Sequence, residues 1–109
     1  MTPYETVVSL GMTPREAYEK ARSAEIRLPE LERIILTDAY EACCYALFVI
    51  KGRWIEAEDI IMTDTCESFD YAQQVFHGKL PDKMHNMMIL HAIKNPDDRF
   101  VKSYFEYIK

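Results

Sequence analysis

Apolar residues recur along this chain at spacings of three and four, with no long stretch that alternates at two. That is the period of a helix with one buried face. After Thr37 and Asp38 the apolar positions are Cys44, Tyr45, Phe48 and Val49, and after Thr63 and Asp64 they are Phe69, Ala72, Val75 and Phe76. An aspartate before such a run can cap the free amides of a first turn. The pattern predicts helices over residues 3–9, 14–26, 29–36, 38–51, 55–62, 64–77, 81–94 and 97–108, with a break at Asn95 and Pro96. Pro29 and Pro81 fall at first-turn positions, where no amide hydrogen is needed. Gly52 and Gly78 are expected to take the left-handed position that ends a helix.

The same pattern repeats. Residues 32–57 and 58–83 align without a gap at an offset of 26. Ile34 and Ile35 fall on Ile60 and Ile61, Thr37 and Asp38 on Thr63 and Asp64, and Tyr45 and Ala46 on Tyr71 and Ala72. Val49 falls on Val75, and Gly52 and Arg53 on Gly78 and Lys79. Backward, Arg27, Leu28 and Glu30 match Arg53, Trp54 and Glu56. Forward, the match needs an insertion, with Met87 and Met88 at the place of Ile60 and Ile61. Phe100, Tyr104 and Phe105 then answer to Tyr71, Val75 and Phe76. Degenerate end copies are usual in stacked arrays. One hairpin cannot bury its own stripe, so about four copies must stack. The expected fold is all-α, a compact stack of αα-hairpins in a single domain over residues 1–109.

Residues 45–58, Tyr-Ala-Leu-Phe-Val-Ile-Lys-Gly-Arg-Trp-Ile-Glu-Ala-Glu, resemble a short helical repeat found in predicted proteins of large tailed phages and giant viruses. In that family Tyr-Ala is followed by Val-Ile-x-Gly-Arg-Trp and a Pro-Glu-type helix start. Ile55 departs from it where proline is typical, while Pro29 and Pro81 stand in the equivalent places. The match is close for residues 37–83 and poor outside them. The resemblance implies a viral origin, and with it the cytoplasm of a host cell. It implies no activity, because the motif is structural.

Charge narrows the function classes. The net charge is −5, which leaves no overall basic footprint for nucleic acid or an anionic membrane. No run of 18 apolar residues is present, so no transmembrane helix is expected. The start of the chain lacks the pattern of a signal peptide. Cys43, Cys44 and Cys66 are odd in number and two are adjacent, which reads as reduced thiols in the cytoplasm.

Catalytic patterns are missing. His77, His85 and His91 lack the spacing of a helical zinc site, and no phosphate-binding, dinucleotide-binding, nucleophile-elbow or metalloprotease motif occurs. No catalytic residue, cofactor or metal is expected, and a small hydrolase is the last of three readings. Tyr45, Trp54 and Tyr71 recur at repeat positions and are expected in the core, with Tyr40 less constrained.

One charge feature stands out. Glu56, Glu58, Asp59, Asp64, Glu67 and Asp70 fall within residues 56–70 without one lysine or arginine. A solvated face is the simple explanation. The functional one is an acidic surface for a basic partner, with Ile60 and Ile61 pointing in and the six acids facing out. The expected function is therefore a non-enzymatic protein-binding module. Its expected partner is a host protein with a basic surface, such as a defence nuclease or CRISPR effector. The alternative is a nucleic-acid-binding or transcription-modulating protein using Arg15, Arg22, Arg27 and Arg33.

Overall fold

The computed structural model describes residues 11–109; the helix expected at 3–9 lies outside them. Helix α1 spans Pro14–Ala24, α2 Pro29–Ile35 and α3 Ala39–Tyr45, which runs on into a widened last turn at Ala46–Ile50. A short 3₁₀ turn, Ile55–Ala57, leads into α4 at Glu58–Ile61. Helix α5 is Thr65–Tyr71 with a second widened turn at Ala72–Phe76. Helices α6, Asp82–Lys94, and α7, Arg99–Tyr107, complete the chain. No strand occurs among the described residues.

The long helices α1, α3, α5 and α7 lie side by side in that order. The remaining helices form the other layer, α2 against α1 and α3, α4 against α3, and α6 against α5 and α7. The result is the expected stack of αα-hairpins, elongated at 48 × 24 × 19 Å.

Caps set the start of each long helix. The side chains of Thr13, Asp38, Asp64 and Asp98 accept from backbone amides of the following turn. Each cap accepts from the residue three places on, Glu16, Glu41, Glu67 and Val101 in turn. In the two middle copies the threonine before the cap donates back instead, Thr37 to the Ile34 carbonyl at 2.7 Å and Thr63 to that of Ile60 at 2.6 Å.

The ends of the long helices correct the glycine expectation. The left-handed residues are Glu25, Lys51 and His77, at φ +59°, +61° and +53°. Gly52 and Gly78 come one position later and are not at positive φ. Their amides reach back to the carbonyls of Ala46 and Ala72 at 3.1 and 3.2 Å, a six-residue closure that turns the chain at the residue before the glycine. Pro81 also shifts by one, standing just before α6 instead of inside it.

Small residues let the long helices approach one another. Ala17 and Ala42 with Ser68, and Ala21 with Ala46 and Ala72, are fully buried at matched positions. Tyr45, Trp54 and Tyr71 are buried as expected, whereas Phe48 is half exposed under the Arg22 guanidinium at 4.8 Å.

Each hairpin is pinned by a buried tyrosine. The Tyr45 hydroxyl accepts from the Leu28 amide at 3.1 Å and donates to Glu32 at 2.5 Å, and Arg27 grips Glu32 at 2.9 and 3.0 Å. The Tyr71 hydroxyl accepts from the Trp54 amide at 2.8 Å and donates to Glu58 at 2.8 Å, and Arg53 grips Glu58 at 2.7 and 3.0 Å. In the last copy Tyr104 accepts from Leu80 at 3.1 Å, and His85 Nδ1 lies 2.7 Å from its hydroxyl. Tyr104 therefore takes the place of Tyr71, not of Val75. The insertion falls in α6, which is longer than the short helices of the other hairpins.

Candidate functional site

The six acids do not form one outward face. Glu58 is buried and held by Arg53 and Tyr71, so it belongs to the hairpin clamp. Glu67 is buried as well. The expectation that all six face solvent fails because a helix of only four residues turns Glu58 inward beside Ile61, and the third residue of α5 faces α3. Asp59 is exposed and pairs with Lys83 from α6 at 2.8 Å, a base that lies outside the acidic run in sequence. Asp64 caps α5, and Glu56 is exposed. Glu67 and Asp70 stay together, one helical turn apart on α5, facing the gap toward α3.

That gap is an open groove of about 410 Å³, with Tyr40, Cys43 and Phe48 from α3 and its last turn on one side and Glu67, Asp70 and Gln74 on the other. Its lining holds two acids and no lysine, arginine or histidine. Burial and the nearby charges of Asp70 and Asp64 push the Glu67 carboxyl up to about 7, with the Cys43 thiol acting the other way and Asp38 adding a smaller rise. Burial and Asp64 likewise raise Asp70. The Cys43 thiol itself is driven far up by burial and by Glu67 and Asp70, so it stays protonated and inert.

The repeat supplies a comparison within the molecule. Counted from the helix caps, Glu41, Glu67 and Val101 occupy one position, and Arg15, Tyr40, Cys66 and Phe100 another. Between α1 and α3, Arg15 Nη1 reaches Glu41 Oε1 at 3.5 Å. Between α3 and α5, Glu67 and Tyr40 line one groove, and the Tyr40 hydroxyl lies beside Cys44 and Arg15. Between α5 and α7 the acid is replaced by Val101. Buried carboxylates among the described residues are thus Glu41 and Glu58, each with an arginine, and Glu67 with none.

Two other clusters are poorer sites. Asp64, Cys66 and Glu67 can bring their ligand atoms within 4.8 Å of one another. Asp64 already accepts from the Glu67 amide, and burial with the surrounding acids raises the Cys66 thiol, which disfavours the thiolate a metal would need. His91 lies against the Met62 carbonyl at 3.2 Å, and His85 against Tyr104, so the two histidines serve separate packing contacts. The N-terminal arginines are engaged too. Arg15 binds Glu19 and Glu41, Arg22 reaches the Tyr18 hydroxyl, and Arg27 binds Glu32.

No known protein family, curated protein or solved structure matches this chain. No helix among the described residues is long and apolar enough to cross a membrane.

Tyr40, Cys43 and Gln74 line the groove, and the sequence pattern does not single them out as binding residues. The signal lies in the cap-to-cap register, which sets Tyr40 opposite Glu67 where the preceding copy has arginine opposite glutamate.

Proposed function

We propose that this chain is a non-enzymatic protein-binding module that takes a basic protein surface along the α3–α5 face. One observation carries the reading: Glu67 is a buried carboxylate without a basic partner, in an open groove beside Asp70, while the other two buried carboxylates have arginines. Charge buried without a partner is unfavourable for the free protein and becomes favourable once a partner supplies the opposite charge. Exposed Glu56 extends the negative field away from the groove. The resemblance to phage and giant-virus repeats favours a host protein complex as the partner, in the manner of an inhibitor of a defence nuclease or CRISPR effector, acting in the host cytoplasm.

The runner-up is nucleic-acid binding or transcription modulation through Arg15, Arg22, Arg27 and Arg33, and the internal bonds of the first three to acids or to tyrosine count against it. A combined Glu56→Lys, Asp59→Lys and Asp70→Lys variant tests the reading without touching the clamp or the helix cap. In a bacterial host lysate, a protein captured by the parent should be lost by the variant, with an unchanged thermal melt. Equal capture by both would refute the acidic face. Tight binding of random duplex or single-stranded nucleic acid at low salt would favour the runner-up.

A further inference from the structure

The groove between α3 and α5 has the shape and charge of a receptor for one particular side chain. We propose that it receives a single arginine of the partner protein, whose guanidinium pairs with Glu67 and Asp70 and lies against the Tyr40 ring. This rests on the protein-binding reading above and names the chemistry of the contact.

The first argument is the precedent in the adjacent gap. There the chain fills the equivalent place with its own guanidinium, Arg15 on Glu41. The substitution of Tyr40 for that arginine removes the cation and leaves the acid. Glu67 is 6 % exposed and lines the groove without a basic partner, and the Cys43 thiol donates to its backbone carbonyl at 3.7 Å. The thiol is a weak donor and supplies no charge. A carboxylate that lines an open groove without a cation leaves room for one.

The second argument concerns which cation fits. Glu67 and Asp70 are three residues apart on one helix, so they present two carboxylates side by side. A planar guanidinium with five donors can bond two acceptors at once, and an ammonium acts as a compact point charge. Tyr40 is 52 % exposed at the rim, where its ring can stack on a planar cation. Arginine is already stacked on aromatic rings elsewhere in this chain, Arg22 on Phe48 at 4.8 Å and Arg53 on Phe76 at 5.5 Å. A divalent metal is the competing occupant of the acids. It would have no use for the aromatic rim.

The test uses the full chain at pH 8, where Glu67 is ionised. A blocked tripeptide with a central arginine is titrated by NMR against its citrulline and lysine counterparts. Citrulline keeps the shape and loses the charge. Arginine should bind about tenfold or more tightly than citrulline and detectably more tightly than lysine, with shifts centred on residues 40–48 and 66–74. Tyr40→Arg rebuilds the arrangement of the neighbouring gap and should weaken the peptide about fivefold or more by occupying Glu67 from within. Because Tyr40 is at the rim, this variant should fold normally, and Glu67→Gln gives a second, nearly isosteric check. Equal binding of arginine and citrulline, shifts centred on Glu56 and Asp59, or unchanged affinity in Tyr40→Arg would each overturn the proposal. If the peptide fails in this way while the triple lysine variant still loses its captured protein, the arginine site is wrong and the protein-binding reading survives. Peptide binding in the groove with no protein lost by that variant, which carries Asp70→Lys, would overturn both the groove as the partner's contact and the broader acidic face.

Discussion

Replacing Glu67 by glutamine should change how stability depends on pH, and the sign follows from the groove. In the unfolded chain Glu67 loses its proton near the ordinary value of 4.5, and in the folded chain near about 7. Between these values the folded state holds a proton that the unfolded state has released. Stability must therefore fall as pH rises through that window, and level off above it. Glutamine mimics the protonated form and removes the effect. At about 1.4 kcal/mol per pH unit, discounted for solvent that enters the open groove, the variant should gain roughly 1–2 kcal/mol over the parent at pH 8. At pH 4.5 the two should be nearly equal. The raised Asp70 contributes a slope of the same sign in both proteins. His85, lowered by burial and by Lys79, contributes the opposite sign near its own titration. The difference between parent and variant cancels both to first order, so it is the quantity to follow. Urea unfolding at pH 4.5, 6, 7 and 8 measures it. A constant difference at all four values, or a variant less stable than the parent at pH 8, would refute the claim that Glu67 is an uncompensated buried acid.

The helix ends and the clamp give two further expectations. Lys51→Gly and His77→Gly should each raise stability by about 0.5–1 kcal/mol by relieving a left-handed backbone, while Gly52→Ala leaves it unchanged or higher, since nothing lies within 4 Å of the added methyl; thermal melts showing the reverse order would return the left-handed role to the glycines. Tyr71→Phe should cost about 2 kcal/mol or more, because it strands the buried Trp54 amide and takes a hydrogen bond from Glu58; a loss below about 0.5 kcal/mol in urea unfolding would mean that the clamp does not pin the hairpin.

The fold was legible because its signals are local and periodic. Asp38 and Asp64 announce helix starts by chemistry that acts within one turn, and the structure places both as caps. The tyrosines are legible as core because they recur. Their bonds are not, since a hydroxyl that joins an amide 17 residues back to a carboxylate 13 back depends on how two helices cross. The misplaced glycines have the same origin. Composition points to glycine at a helix end, and only the six-residue closure onto Ala46 decides which residue of the turn takes positive φ.

The acidic run misleads for a different reason, since counting charges along the chain treats neighbours in sequence as neighbours in space. Lys83 and Arg53 lie outside residues 56–70 and yet neutralise Asp59 and Glu58. What remains after that cancellation is Glu67, whose meaning is set by the copy before it and not by its own neighbours. One substitution between copies, arginine to tyrosine, separates a closed gap from an open one. A repeat protein can make a site in this way at little risk to its fold, because the changed residue lies at the rim while the caps, the small packing residues and the tyrosine clamp are kept. The site is then found by asking which copy omits a partner that its neighbour supplies, and in this chain the answer is the gap between α3 and α5.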